Sequence, residues 1–85
     1  MFYVYILYSS KIDSFYVGST ANLQDRLKRH NEGRSKATKK GMPWIVVYTK
    51  IYNTRPEAYR AELYIKAQKS KLFILQLIEN NQFNL

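Results

Sequence analysis

Cysteine is absent from the 85 residues. Its absence excludes disulfides and thiolate-held zinc, and a reducing cytoplasm suits such a chain. Histidine is almost as scarce. His30 is the only one, so a site built from several histidines cannot form within one chain. The three glycines provide neither G-x-x-x-x-G-K nor G-x-G-x-x-G, which excludes the usual phosphate-cradling loops. Ser9, Ser10 and Ser14 have no partners for a hydrolytic triad. No apolar run approaches the roughly 20 residues that span a bilayer, so no membrane partner is expected. The segment Met1–Tyr5 lacks the basic start of a secretory signal and reads as a first strand. Negative charge is short too. Six Asp plus Glu face fourteen Lys plus Arg, a net charge of +8. A polyanionic partner is the natural reading of that excess, and solubility of a Tyr-rich surface is the bland one.

Against these absences, 46% of the residues are hydrophobic and 15% aromatic, enough for one small folded domain over residues 1–85. Residues 2–8 are apolar or aromatic and β-prone. Phe2, Val4, Ile6 and Tyr8 would share one face, and Tyr3, Tyr5 and Leu7 the other. A polar hairpin loop, 9–14, leads to a second strand, Phe15 to Gly18, which ends on a residue without a side chain. Asn22 is an N-cap, with Asp25 three residues on, for a helix that Gly33 stops. Its core stripe is Leu23 and Leu27. A basic loop over 34–43 precedes a third strand, Trp44 to Tyr48. Thr54-Arg55-Pro56-Glu57 reads as a capping box. The helix it opens should carry Ala58, Ala61, Ile65 and Leu72 on one face. Leu72 to Ile78 is helical in pattern and either continues that helix or breaks from it near Ser70, with Asn80 to Leu85 frayed. The order ββαβα(α) predicts an α+β fold: a three-stranded antiparallel sheet flanked by helices.

Several residues stand out chemically, each with a plainer alternative. Tyr5 and Tyr16 belong to eight tyrosines and could be ordinary strand aromatics. A hairpin would bring them near each other on one face. Arg26 and His30, four apart, share a helix face beside the leucine stripe. An Arg there is often a solvated edge, and a lone His often a surface residue. As a site they would offer a phosphate-binding fork and a proton acceptor. Glu62 falls between Ala58 and Ile65, inside the apolar stripe, so its carboxylate needs a partner. That partner is either a neighbouring side chain, such as Arg60, Lys66 or a Tyr, or a metal ion. Arg26, Lys28, Arg29, Arg34, Lys36, Lys39 and Lys40 form a basic cluster with only Glu32 among them. It reads as a solvated face or as a grip on a nucleic-acid backbone.

Taken together, Tyr3-Val4-Tyr5, Tyr16-Val17-Gly18, Arg26, His30 and Glu62 resemble the GIY-YIG nuclease superfamily. The resemblance extends to Tyr3–Leu7, Arg26–Asn31, Pro43-Trp44 and Glu62–Lys66, which look like the small stand-alone bacterial members. It covers nearly the whole chain. Tyr3 replaces the first glycine of the name motif. The family's late asparagine is matched by Asn80, by Asn81 or by neither. The resemblance implies a metal-dependent endonuclease acting on DNA, or RNA, with low sequence specificity or direction by nucleic-acid structure. It assigns catalytic roles to Tyr5, Tyr16, Arg26, His30 and Glu62. Glu62 would hold Mg²⁺ or Mn²⁺, and Gly18 would leave room at the site. Tyr5, as a base, would need nearby positive charge to lower its pKa. With no room for a targeting domain in 85 residues, a targeting protein partner is an open expectation, as is the oligomeric state. The alternatives are a non-catalytic nucleic-acid-binding module on the same fold, and a protein-interaction module using exposed aromatics.

Overall fold

The computed structural model describes residues 1–83 and contains three strands and three helices in the expected order. Strands β1 (Phe2–Ser9), β2 (Ser14–Thr20) and β3 (Ile45–Tyr52) form one antiparallel sheet in the order β2-β1-β3. Helices α1 (Leu23–Asn31), α2 (Arg55–Gln68) and α3 (Lys71–Phe83) flank it.

The central place of β1 explains its composition. Val4, Tyr5, Ile6 and Leu7 are each at most 1% exposed, because both faces of this strand are covered. An uninterrupted apolar run suits such a strand better than an alternating one. Val4 and Ile6 join Val17, Ala58 and Ile65 under α2 and α3. Tyr5 and Leu7 join Trp44 under Leu23 and Leu27 of α1. The sheet therefore divides two small cores, and the expected face assignment holds for both.

Local signals set the helix ends. The Asn22 side chain accepts the Asp25 N–H at 3.0 Å, and Gly33 takes the left-handed backbone, φ +74°, just past α1. Thr54 accepts the Glu57 N–H, while its hydroxyl donates to the Glu57 carboxylate at 2.8 Å. Of the two readings for the last segment, the break near Ser70 is the one found. Lys69 is left-handed, φ 47°, and the Ser70 hydroxyl accepts the Phe73 N–H to start α3.

Four expectations need correction. Strand β2 continues past Gly18 to Thr20, because Gly18 sits opposite Tyr5 in the ladder rather than at its end. Strand β3 starts after Trp44 and extends to Tyr52, its added length pairing with Phe2 to Tyr5. A bulge at Val47 keeps Val46 on the Leu7 side and Tyr48 on the Ile6 side. Leu72 leaves the α2 stripe and is 65% exposed on α3. Asn80 to Phe83 are helical rather than frayed, and residues 84 and 85 lie outside the described residues.

Candidate active site

The hairpin register builds the first half of the site. Tyr5 lies opposite Gly18 and Tyr16 lies opposite Leu7, so the two tyrosines are diagonal neighbours on one face. A Cβ on Gly18 would come within 2.5 Å of the Tyr5 hydroxyl and 2.7 Å of Cζ. The Tyr5 ring thus lies across the Gly18 backbone, and only glycine leaves room for it there.

Helix α1 brings His30 to the same place. The plain expectation of a surface histidine is wrong: His30 is 1% exposed, because α1 turns it inward onto the tyrosines. Its Nε2 is 3.0 Å from the Tyr5 hydroxyl, and its Nδ1 is 2.7 Å from the Thr38 hydroxyl. The Tyr16 ring meets the imidazole edge-on, with centroids 5.0 Å apart. Arg26, one turn earlier and half-buried, directs its charge at both Tyr5 and His30.

In the chain alone, burial outweighs the positive charge around Tyr5, and its pKa is raised, to about 12. Burial is the main cause, and the nearby Tyr16 phenol adds to it. The Arg26 guanidinium opposes both through charge and a hydrogen bond, and the Glu62 charge pushes the value up again. Burial of the phenolate outweighs one half-buried guanidinium. His30 is held below its usual pKa by burial, then by Arg26 and Arg29, and so is neutral at neutral pH.

Helix α2 supplies the second half. Glu62 is 9% exposed. One carboxylate oxygen accepts the Ser19 hydroxyl at 2.6 Å and the other faces the Lys66 ammonium at 2.5 Å. Ser19 pairs with Val4, so Glu62 approaches from the sheet face opposite Tyr5, at the edge strand β2. Its charge still reaches Tyr5. Of the plain partners considered for Glu62, Lys66 is found and Arg60 is not.

The donor set at Glu62 allows a test of metal fit. No group of three or more His, Cys, Asp or Glu gathers among the described residues. A fully protein-made cage is therefore not what Glu62 belongs to. A single carboxylate beside a hydroxyl does suit Mg²⁺ or Mn²⁺, hard ions of which Mg²⁺ keeps several waters and takes substrate phosphate oxygens. The carboxylate already faces one cation, and the Lys66 side chain is 44% exposed and able to move off.

The basic cluster divides by orientation. Arg26 turns inward. Lys28, Arg29, Arg34, Lys36, Lys39 and Lys40 are exposed. Glu32 engages Arg34 at 3.0 Å and Lys28 at 3.9 Å, while Lys36, Lys39 and Lys40 have no ion-pair partner among the described residues. Their loop is not loose. Asn31 clamps Trp44 by accepting its backbone N–H at 2.6 Å and donating to its carbonyl at 3.0 Å. The Trp44 indole N–H then donates to the Thr38 carbonyl at 2.7 Å.

Asn80 and Asn81 line a groove with Tyr48, Lys50 and Leu77 beside β3. That is the opposite edge of the sheet from Ser19 and Glu62, so neither asparagine joins the site. Three residues at the site went unremarked in the sequence: Ser19, Thr38 and Asn31 in its clamping role. Strand alternation with Val17 would have flagged Ser19. Thr38 carries no local signal, since only the folded loop brings it to His30.

A family model described as the GIY-YIG catalytic domain matches residues 1–76. A UPF0213 protein of Bacillus licheniformis is 39% identical over 70 residues, covering 81% of this chain and 71% of that protein. A UPF0213 protein of Staphylococcus haemolyticus is 36% identical over 77 residues, covering 87% and 93%. The solution NMR structure of a UPF0213 protein from Bacillus halodurans superposes with a TM-score of 0.58 at 33% identity, covering 93% of this chain and 84% of that one.

Proposed function

This chain belongs to the GIY-YIG nuclease family, and from that membership we propose that it is a metal-dependent endonuclease of DNA, with low sequence specificity or direction by nucleic-acid structure. The observation that carries the reading is the buried hydrogen bond between Tyr5 and a neutral His30, within reach of Arg26. A phenol with a pKa near 12 does not rest as phenolate at neutral pH. It works instead as a relay. The attacking water gives a proton to the Tyr5 oxygen as the Tyr5 proton passes to His30 Nε2, and the water oxygen bonds to phosphorus as the ester bond breaks. Arg26 donates to the scissile phosphate and offsets the charge that grows on it. Tyr16 packs edge-on against His30 and holds the imidazole in place. Gly18 leaves the space that the Tyr5 ring occupies. Glu62 would hold Mg²⁺ or Mn²⁺, and the ion would supply Lewis-acid stabilisation of developing negative charge. Lys28, Arg29, Arg34, Lys36, Lys39 and Lys40 hold the adjoining backbone and carry no base readout.

The test is cleavage of labelled linear, single-stranded and branched DNA, and of RNA, with Mg²⁺, Mn²⁺ or chelator. Metal-dependent cutting that is lost in Tyr5→Phe supports the reading and identifies the preferred substrate. Tight, salt-sensitive binding with no cutting under any condition overturns it in favour of a binding module.

A further inference from the structure

Thr38 has no role in the reaction proposed above, yet its hydroxyl is buried against the imidazole. Tyr5, His30 and Thr38 are each at most 1% exposed. They form an unbroken chain from the phenol through both ring nitrogens to the threonine hydroxyl, at 3.0 and 2.7 Å. Thr38 Oγ1 has one further neighbour, the Ser35 carbonyl at 3.4 Å. A hydroxyl has one proton, and a carbonyl can only accept. If Oγ1 donates to Ser35, it must accept from His30 Nδ1–H, which leaves Nε2 bare and facing Tyr5. The other end of the chain agrees. Were Nε2 to carry the proton, it would donate to the Tyr5 oxygen, and the Tyr5 proton would lose the imidazole, the one hydrogen-bond acceptor of that hydroxyl among the described residues. Only the Nδ1–H form satisfies every group in the chain.

We propose that Thr38 is a positioning residue for catalysis: it holds His30 in the Nδ1–H tautomer, so that the unprotonated Nε2 receives the Tyr5 proton. This rests on the nuclease reading for its consequence, but not for the tautomer itself. The surroundings favour such a role over packing alone. The Thr38 carbonyl is pinned by the Trp44 indole, and Asn31 clamps Trp44, so the hydroxyl is fixed relative to α1. Gly41 lies beneath the same indole, where a Cβ would meet Trp44 Cε2 at 2.8 Å. The loop that presents Lys36, Lys39 and Lys40 to solvent thus also supplies the second partner of the buried histidine.

Because His30 is the only histidine, the full chain labelled with [¹⁵N]histidine gives a single imidazole spectrum. At neutral pH the wild type should carry its proton on Nδ1. Thr38→Val should move it to Nε2 or mix the two forms, and Thr38→Ser should restore Nδ1. DNA cleavage should follow the tautomer, falling about 10- to 100-fold in the Val variant and recovering in the Ser variant, as for second partners of metal-bound histidines. A wild-type proton on Nε2 overturns the proposal, and needs no variant to fold. An unchanged tautomer in Thr38→Val or in the smaller Thr38→Ala also overturns it. If the wild type shows Nδ1–H but cuts no nucleic acid, the nuclease reading fails while the tautomer assignment stands.

Discussion

On the Tyr5 face of the sheet, Tyr5, His30 and Thr38 exchange hydrogen bonds with no formal charge among them, and all three are buried. On the Val4 face, Glu62 meets Lys66, whose side chain is 44% exposed. The contrast separates two tasks. Proton transfer over 3 Å tolerates little misplacement, and neutral groups can be buried and fixed without a large desolvation cost. A carboxylate awaiting a cation needs a partner meanwhile, and this one has the half-exposed Lys66 ammonium beside it. One half is complete before substrate arrives. On the proposed reading, the other would be completed by exchanging the Lys66 ammonium for a metal ion.

The largest expected effect comes from breaking the neutral half. Tyr5→Phe removes the proton carrier and should lower single-turnover cleavage roughly 10²- to 10⁴-fold. It also leaves the bare nitrogen of His30 without its donor, at a cost of about 1–3 kcal/mol in denaturant unfolding. Glu62→Gln should leave stability within about 1 kcal/mol, because the pair it breaks involves a half-exposed lysine. Equal losses of stability in the two variants would erase the distinction between the halves.

Gly18→Ala tests how tightly the same half is fixed. The added methyl meets the Tyr5 hydroxyl at 2.5 Å, so the ring must shift. Cleavage should fall by about 10²-fold, with a stability loss of about 1–3 kcal/mol from overpacking. Wild-type activity in this variant would mean that the ring position does not matter.

Changes of pH should act on the Tyr5 face from both ends of the scale. The folded pKa of His30 lies below its unfolded value near 6.5. Between those values the unfolded chain binds more protons, so its stabilising contribution is full above about pH 6.5 and is lost as pH falls through the folded value. At the alkaline end the sign reverses. Tyr5 has a folded pKa near 12 against 10.0, so stability should fall as pH rises from 10 to about 12, with Tyr48 contributing in the same direction. Unfolding curves across pH should show the acid slope shrink in His30→Asn and part of the alkaline slope vanish in Tyr5→Phe.

The smallest effect on chemistry should come from the exposed loop. Lys36→Ala with Lys39→Ala should weaken DNA binding and lower the salt slope by about two, one for each lost phosphate contact. The cleavage rate at saturating protein should be nearly unchanged. A collapse of that rate would tie these lysines to the reacting phosphate itself.

Much of this organisation was legible in the residues because it is local. The apolar run of β1, the Asn22 and Thr54 caps and the i, i+4 spacing of Arg26 and His30 each carry their own physical signature. Glu62 was conspicuous for the same reason, as a charge at a stripe position. What escaped depends on distant segments meeting. Thr38 becomes a partner of His30 only after Trp44 and Asn31 pin the loop. The burial of His30 follows from its place on the Leu23 and Leu27 stripe, three residues past Leu27, but that the tyrosines are what it meets there depends on how α1 packs on the sheet. The burial that raises the Tyr5 pKa in the chain alone is not legible either, because positive charge is visible in the sequence and desolvation is not. The late asparagines fall at the β3 edge because the break at Ser70 sends α3 there rather than toward β2.

The most direct measurement is single-turnover cleavage of the preferred labelled substrate across a Mg²⁺ titration, comparing wild type with Glu62→Gln. The account predicts saturable metal dependence in the wild type and loss of roughly 10²- to 10³-fold or more in the variant, with its fold and its His30 tautomer intact. Undiminished cleavage by Glu62→Gln, or wild-type cleavage that persists in chelator, would contradict it.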